Sequence, residues 1–88
     1  MKQIIVNADD FGRHERINRA VEQGVRGGVL RSATIMAGGA AFDDAAALAL
    51  RCPQLGVGIH LTLVNGTPIL PPAEIPSLVT QEGVFADD

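Results

Sequence analysis

The sequence predicts an α/β fold with parallel strands, a β-α-β-α-β segment that opens a larger structure. Short β-branched runs alternate with segments of helical periodicity, which implies right-handed crossovers and a parallel sheet. A Gly-Gly pair and a Cys-Pro step close the two helical segments. The hydrophobic content of 47% rests on Ala, Val, Leu and Ile, with three Phe and no Trp or Tyr, the profile of a packed α/β core.

Each element follows from its local pattern. Residues 3–8, QIIVNA, are a β-branched run bounded by polar residues and predict a buried first strand. From His14 to Gly27, Ile17, Ala20, Val21, Gly24 and Val25 recur at helical spacing while Glu15, Arg16, Arg19, Glu22 and Arg26 fall elsewhere, and Gly27-Gly28 supplies the stop. SATIM, Ser32 to Met36, is the second strand. Gly38-Gly39 then turns the chain into the alanine-rich residues 41–51, a second helix that ends before Pro53. LGVGIHLTL, Leu55 to Leu63, predicts the third strand, in which Gly56 and Gly58 permit close approach of a neighbouring backbone. Residues 1–63 thus form the core.

From Val64 the character changes. Asn65-Gly66 and Pro68, Pro71, Pro72 and Pro76 predict a long loop over 64–82. Leu78-Val79 and Val84-Phe85 flank Glu82-Gly83 and predict an ordered loop or a short hairpin. Residues 64–88 are the Pro-rich loop and tail of the same single domain. Two crossover helices leave a three-stranded parallel sheet with open edges and uncovered apolar surface, so further strands or a second copy are expected.

Composition narrows the function. At 88 residues the chain fits one small domain that buries roughly 60–65% of its unfolded surface. The net charge is −3 and the seven basic residues are scattered, which leaves no nucleic-acid footprint and points to a small-molecule partner. A lone Cys52 beside Pro53 forms no internal disulfide and is read as a structural helix-end residue. Met-Lys-Gln runs straight into a strand-like segment, with no long apolar stretch, so no membrane span and a cytoplasmic location are expected.

In parallel α/β folds ligands gather at the carboxyl ends of the strands. Asp9 and Asp10 follow the first strand, and His60, with Thr62 after it, lies at or near the end of the third. Two adjacent carboxylates each raise the cost of ionising the other, and a divalent cation offsets that cost. Carboxylate oxygen and imidazole nitrogen suit Zn²⁺, while Mg²⁺ depends more on oxygen. One carboxylate would ligate and the other would accept a proton from water whose pKa falls to about 7. Competing readings stay open: either aspartate caps the following helix, and His60 alone suits a hydrogen-bonded core position. Gly38-Gly39 is an anion cradle or an ordinary turn, without a GxGxxG or Walker pattern. His14 is assigned to a solvated face. Asn18 either hydrogen-bonds the acidic loop or lies on the surface.

NADDFG near the N-terminus, INRAVEQGV in the first helix, SATIM and VGIHLTL together resemble the YdjC-type carbohydrate deacetylases, which include the chitooligosaccharide deacetylases. DDFG alone is a weak motif; DDFG joined to GIHLTL in the right strand context is specific. The tail VNGTPILPPAEIPSLVTQEGVF is similar to members associated with hopanoid biosynthesis. The resemblance covers nearly the whole chain and implies the first third of a distorted TIM-type, polysaccharide-deacetylase-like barrel. It further implies removal of an acetyl group from an N-acetylated sugar with a divalent metal, Mg²⁺ or Zn²⁺. By the matching motif, Asp10 and His60 are metal ligands and Asp9 the general base.

In that family a further histidine ligand lies later in the barrel, and no histidine follows His60 here. Catalytic zinc sites use three protein ligands and water, so the resemblance implies an incomplete set, an unassigned general acid, and an isolated chain without activity. His14 departs from the family, whose members often carry Ser or another small polar residue there. Two rival classes are a Mg²⁺-binding receiver-like signalling domain and a non-catalytic assembly fragment. The first needs an aspartate where His60 stands. The second forms a homo-oligomer through its exposed strand edges.

Overall fold

Strand β1 spans Asn7–Phe11, helix α1 Glu15–Arg26, β2 Ser32–Ile35, α2 Phe42–Arg51 and β3 Gly56–Ile59, followed by a 3-10 turn at Pro72–Glu74. The computed structural model describes all 88 residues. The three strands are parallel and neighbour one another in chain order, β1-β2-β3. A receiver-type doubly wound sheet reverses its order after the first strand, and this sheet does not, which removes the signalling alternative at the level of topology.

The first strand differs from its predicted span. Residues 3–6 are not in the sheet, and Ile4 and Ile5 are 87% and 89% exposed. A strand forms only where a neighbour supplies the ladder, and β2 begins with Ser32 opposite Asn7, so residues 3–6 have nothing to pair with. The predicted third strand, 55–63, is shortened to Gly56–Ile59 for the same reason: its register runs from Ser32↔Gly56 to Ile35↔Ile59, where β2 ends. One further bond, His60 N–H to the Ile35 carbonyl at 2.9 Å, fixes the residue after β3.

Helix α1 is stabilised at both ends. His14 Nδ1 accepts the Arg16 N–H at 3.0 Å as the N-cap, and Glu15 in the first turn and Arg26 in the last complement the helix dipole. Val21 and Val25, one turn apart, are buried. In α2 the buried stripe is Ala45 and Leu48, and the free thiol Cys52 packs at its end. These side chains meet Phe11, Leu30, Ala33, Ile35 and Leu55 in a single core between the helices and one face of the sheet.

The strand period of two puts Asn7, Asp9, Ser32 and Thr34 on the opposite face, which no helix covers. The helix layer also stops short of β3, where Val57 and Ile59 stay 41% and 65% exposed. Beyond β3 the chain turns at Asn65-Gly66, both with positive φ. It closes a short hairpin through Val79↔Phe85 and the 2.8 Å bond from Thr80 N–H to the Val84 carbonyl. Phe85 is buried beneath it. The radius of gyration is 14.8 Å, against about 12 Å for a compact domain of this size, as expected of a sheet covered on one face. No helix is long and apolar enough to cross a membrane.

Candidate metal centre

The register of β1 slips between Ala8 and Phe11, and within the slip Asp10 adopts φ +63°. A non-glycine residue in the left-handed region costs about 1 kcal/mol, so the neighbouring contacts must hold it there. Asp10 N–H donates to His60 Nδ1 at 3.2 Å, and the Asp10 carbonyl accepts Arg13 N–H at 2.9 Å. Phe11 O accepts Met36 N–H at 2.7 Å, and Gly12 O accepts Ala41 N–H at 2.9 Å. The Gly12 N–H donates to Asn18 Oδ1 at 2.8 Å. Every residue from Asp10 to Arg13 is tied down.

This arrangement turns the Asp10 carboxylate toward His60: Oδ1 lies 3.6 Å from Nδ1. The single Nδ1 lone pair is taken by the Asp10 N–H, so ligation through Nδ1 requires that bond to be given up. Two donors bound to one cation at about 2.1 Å each lie about 3.0–3.4 Å apart, close to the observed separation. Asp10 and His60 are thus neighbouring groups of the right chemistry for a divalent cation, with the imidazole free to ligate once it releases the Asp10 N–H. No three His, Cys, Asp or Glu side chains of this chain converge, so it presents part of a ligand set.

Asp9 stands apart from the pair. Its Oδ1 accepts from Asn7 Nδ2 at 3.1 Å and Thr34 Oγ1 at 3.3 Å on the open sheet face, and its Oδ2 has no hydrogen-bond partner. One oxygen is held and the other is available. Thr62 Oγ1 donates to the His60 carbonyl at 3.2 Å, which steadies the turn after β3.

Arg13 is the residue the sequence analysis missed. Its Nη1 pairs with Asp10 Oδ2 at 3.3 Å. The available signal was a basic residue three positions after Asp10, where a turn brings the two together. Asn18 takes the buried one of its two readings, with no exposed surface. Gly38-Gly39 is a packing turn and not an anion cradle. A Cβ on Gly39 would lie 2.1 Å from the Gly12 carbonyl oxygen, and Asp43 and Asp44 fill the first turn of α2 with negative charge. Asp10, Arg13 and His60 line a cleft of about 240 Å³. His60 and Arg13 also border a cavity of about 500 Å³ with aliphatic walls from Met36, Ile69, Ile75 and Leu78.

The family model of YdjC-like proteins matches residues 3–88. The chain belongs to the YdjC-like family. This YdjC-like chain is 41% identical to a carbohydrate deacetylase of Thermoanaerobacter pseudethanolicus, over 97% of its own length and 34% of the relative's. It is 47% identical to a carbohydrate deacetylase of Geobacillus stearothermophilus, over 92% of its length and 32% of the relative's. A chitooligosaccharide deacetylase of Salmonella paratyphi B is 43% identical over 93% of the chain and 31% of the relative. Among solved structures, a candidate cellobiose-phosphate cleavage protein of Enterococcus faecalis superposes with a TM-score of 0.88 at 36% identity. That match covers 96% of this YdjC-like chain and 33% of the other. The chain spans about a third of the length of the relatives it matches.

Proposed function

We propose that this chain carries the cation-binding and proton-accepting part of a carbohydrate N-deacetylase, whose whole protein removes an acetyl group from an N-acetylated sugar. The observation that carries this reading is the Asp10 carboxylate and the His60 imidazole brought within 3.6 Å of each other at the ends of β1 and β3. Its support is a family whose relatives include carbohydrate deacetylases. Asp10 and His60 would hold Zn²⁺ or Mg²⁺. The remaining donors would come from the rest of the protein, in a barrel that these three strands begin. When bound, such a cation supplies Lewis-acid polarisation of an acetamide carbonyl and lowers the pKa of a water.

The chain's own residues do the rest. Asn7 and Thr34 fix Asp9 Oδ1, so that Oδ2 is placed to take the proton from the attacking water. The cavity of about 500 Å³ beside His60 is of a size that admits a sugar-sized ligand, with aliphatic side chains along its walls. With two ligands and no general acid, the 88-residue chain alone is inactive in this reading.

The test is acetate release from N-acetylglucosamine oligomers by the whole protein. Asp9→Asn is expected to lower kcat by about 10²–10⁴ with metal content unchanged, whereas His60→Ala is expected to lower metal content itself. A whole protein that releases no acetate from any N-acetylated sugar, or an Asp9→Asn variant at full rate, overturns the proposal.

A further inference from the structure

Asn18 is the single buried polar side chain in the core region, with no exposed surface, and three hydrogen bonds hold it there. Its Oδ1 accepts the Gly12 N–H at 2.8 Å, and its Nδ2 donates to the Ala41 carbonyl at 3.1 Å and to Asp44 Oδ2 at 2.9 Å. The donor and acceptor pattern fixes the amide orientation, because the reverse would set N–H against N–H and oxygen against two oxygens. Asp44 is held in turn by both its oxygens on Arg19 Nη2, at 2.5 and 2.6 Å. Gly12 is the residue through which the β1–α1 and β2–α2 loops join, since its carbonyl accepts the Ala41 N–H.

This ring of bonds does more than satisfy buried groups. Gly12 lies two residues after Asp10, at the third position of the turn closed by Arg13 N–H on the Asp10 carbonyl. Gly12 itself has φ +94° and Asp10 φ +63°. Two departures from ordinary strand geometry two residues apart, one of them in a non-glycine residue, persist only where the surroundings over-determine them. The Asn18 amide is the side chain that fixes the Gly12 N–H, and an unpaired N–H buried there would favour another path for the loop.

We propose that Asn18 is a positioning residue for Asp10: its bond to the Gly12 N–H holds the loop in the conformation that sets the Asp10 carboxylate against His60. Toward the cation, this rests on the reading of Asp10 and His60 as ligands; toward the Asp10–His60 contact, it stands by itself. Asp44 and Arg19 anchor the amide from outside the site, so their loss weakens the anchor and leaves the Gly12 bond in place.

The experiment separates positioning from stability in the 88-residue chain. Three quantities are measured for wild type, Asn18→Ala, Asn18→Asp and Asp44→Ala: the melting temperature, the ¹⁵N shifts of the His60 ring and the Asp10 amide, and the Zn²⁺ affinity by calorimetry. Asn18→Ala is expected to change the Asp10 and His60 signals and to lower Zn²⁺ affinity by about 10–100-fold, the usual effect of removing a group that orients a ligand. Asn18→Asp keeps an acceptor for Gly12, and Asp44→Ala keeps Asn18; both are expected to melt earlier with near wild-type His60 signals. If Asn18→Ala does not fold, Asn18→Ser takes its place, because its hydroxyl can bond back to the His14 carbonyl but is too short to reach Gly12. Unchanged Asp10 and His60 signals in the Ala or Ser variant overturn the proposal whether or not zinc binds. A wild type that binds no zinc, with signals that still shift in Asn18→Ala, refutes ligation by this chain and upholds the positioning role.

Discussion

Asp10 combines two demands that few residues meet together, a left-handed backbone and an anionic side chain aimed at an imidazole. Asparagine tolerates the same backbone region and is nearly the same size. Asp10→Asn is therefore expected to leave the melting temperature within a few degrees of wild type while abolishing calorimetric Zn²⁺ binding. An unchanged titration would mean that the carboxylate is not a ligand. Gly39 is constrained from the other side of the same loop, by a backbone oxygen that cannot yield as a side-chain tip can. Gly39→Ala should cost about 1–3 kcal/mol through the forced separation of the two loops, read as a lowered urea midpoint. Leu48 has no exposed surface. Leu48→Ala should cost about 2–5 kcal/mol, a large part of the stability of so small a domain, and chemical denaturation measures it directly.

Between elements, α1 and α2 are joined by charge as well as by the apolar core. Glu22 accepts from Arg26 at 3.0 Å and Arg51 at 3.4 Å, and Arg19 bridges Glu22 and Asp44. Hydrogen bonds from Arg26 and Arg51 hold the Glu22 carboxyl below its ordinary value, and the Asn18 amide, with Arg19, does the same for Asp44. A carboxyl whose folded pKa lies below its unfolded one contributes stability above the unfolded value, near 4.5 for Glu22 and 3.8 for Asp44. That contribution is lost as the pH falls through the folded values. The melting temperature is thus expected to drop below about pH 4.5, and Glu22→Gln should flatten the drop. The bridges are largely solvent-facing, so added salt should shrink the difference between wild type and variant. A pH profile unaffected by Glu22→Gln would show that the bridges carry no net stability.

As a whole molecule the chain is a one-sided layer. β1 and β3 each keep an unpaired edge, the polar face of Asn7, Asp9, Ser32 and Thr34 is uncovered, and Val57 and Ile59 lie beyond the helices. Unpaired strand edges and exposed apolar surface favour pairing with another chain. The isolated 88-residue chain is expected to self-associate, with a light-scattering mass that rises with concentration. A monomer at all concentrations with a single cooperative melt would refute this, and would show that two helices on three strands suffice.

Local pattern by itself determined the order β-α-β-α-β, the parallel sheet, both helices to within a residue or two, and the placing of Asp10 and His60 at strand ends. These follow from periodicity, helix stops and the crossover rule, which act over a few residues at a time. The DDFG and GIHLTL segments likewise carried the family in their residues alone. Tertiary structure decided what depends on a neighbour. The run at Ile4–Val6 looks like a strand but has no partner, and the third strand ends where β2 ends. Asn18 is buried because Gly12, Ala41 and Asp44 converge on it from two loops and a second helix. Arg13 meets Asp10 because the turn closes, and Asp9 is held by Thr34 because β1 and β2 pair side by side. A hydrogen bond needs both its ends, and a sequence pattern displays only one of them at a time.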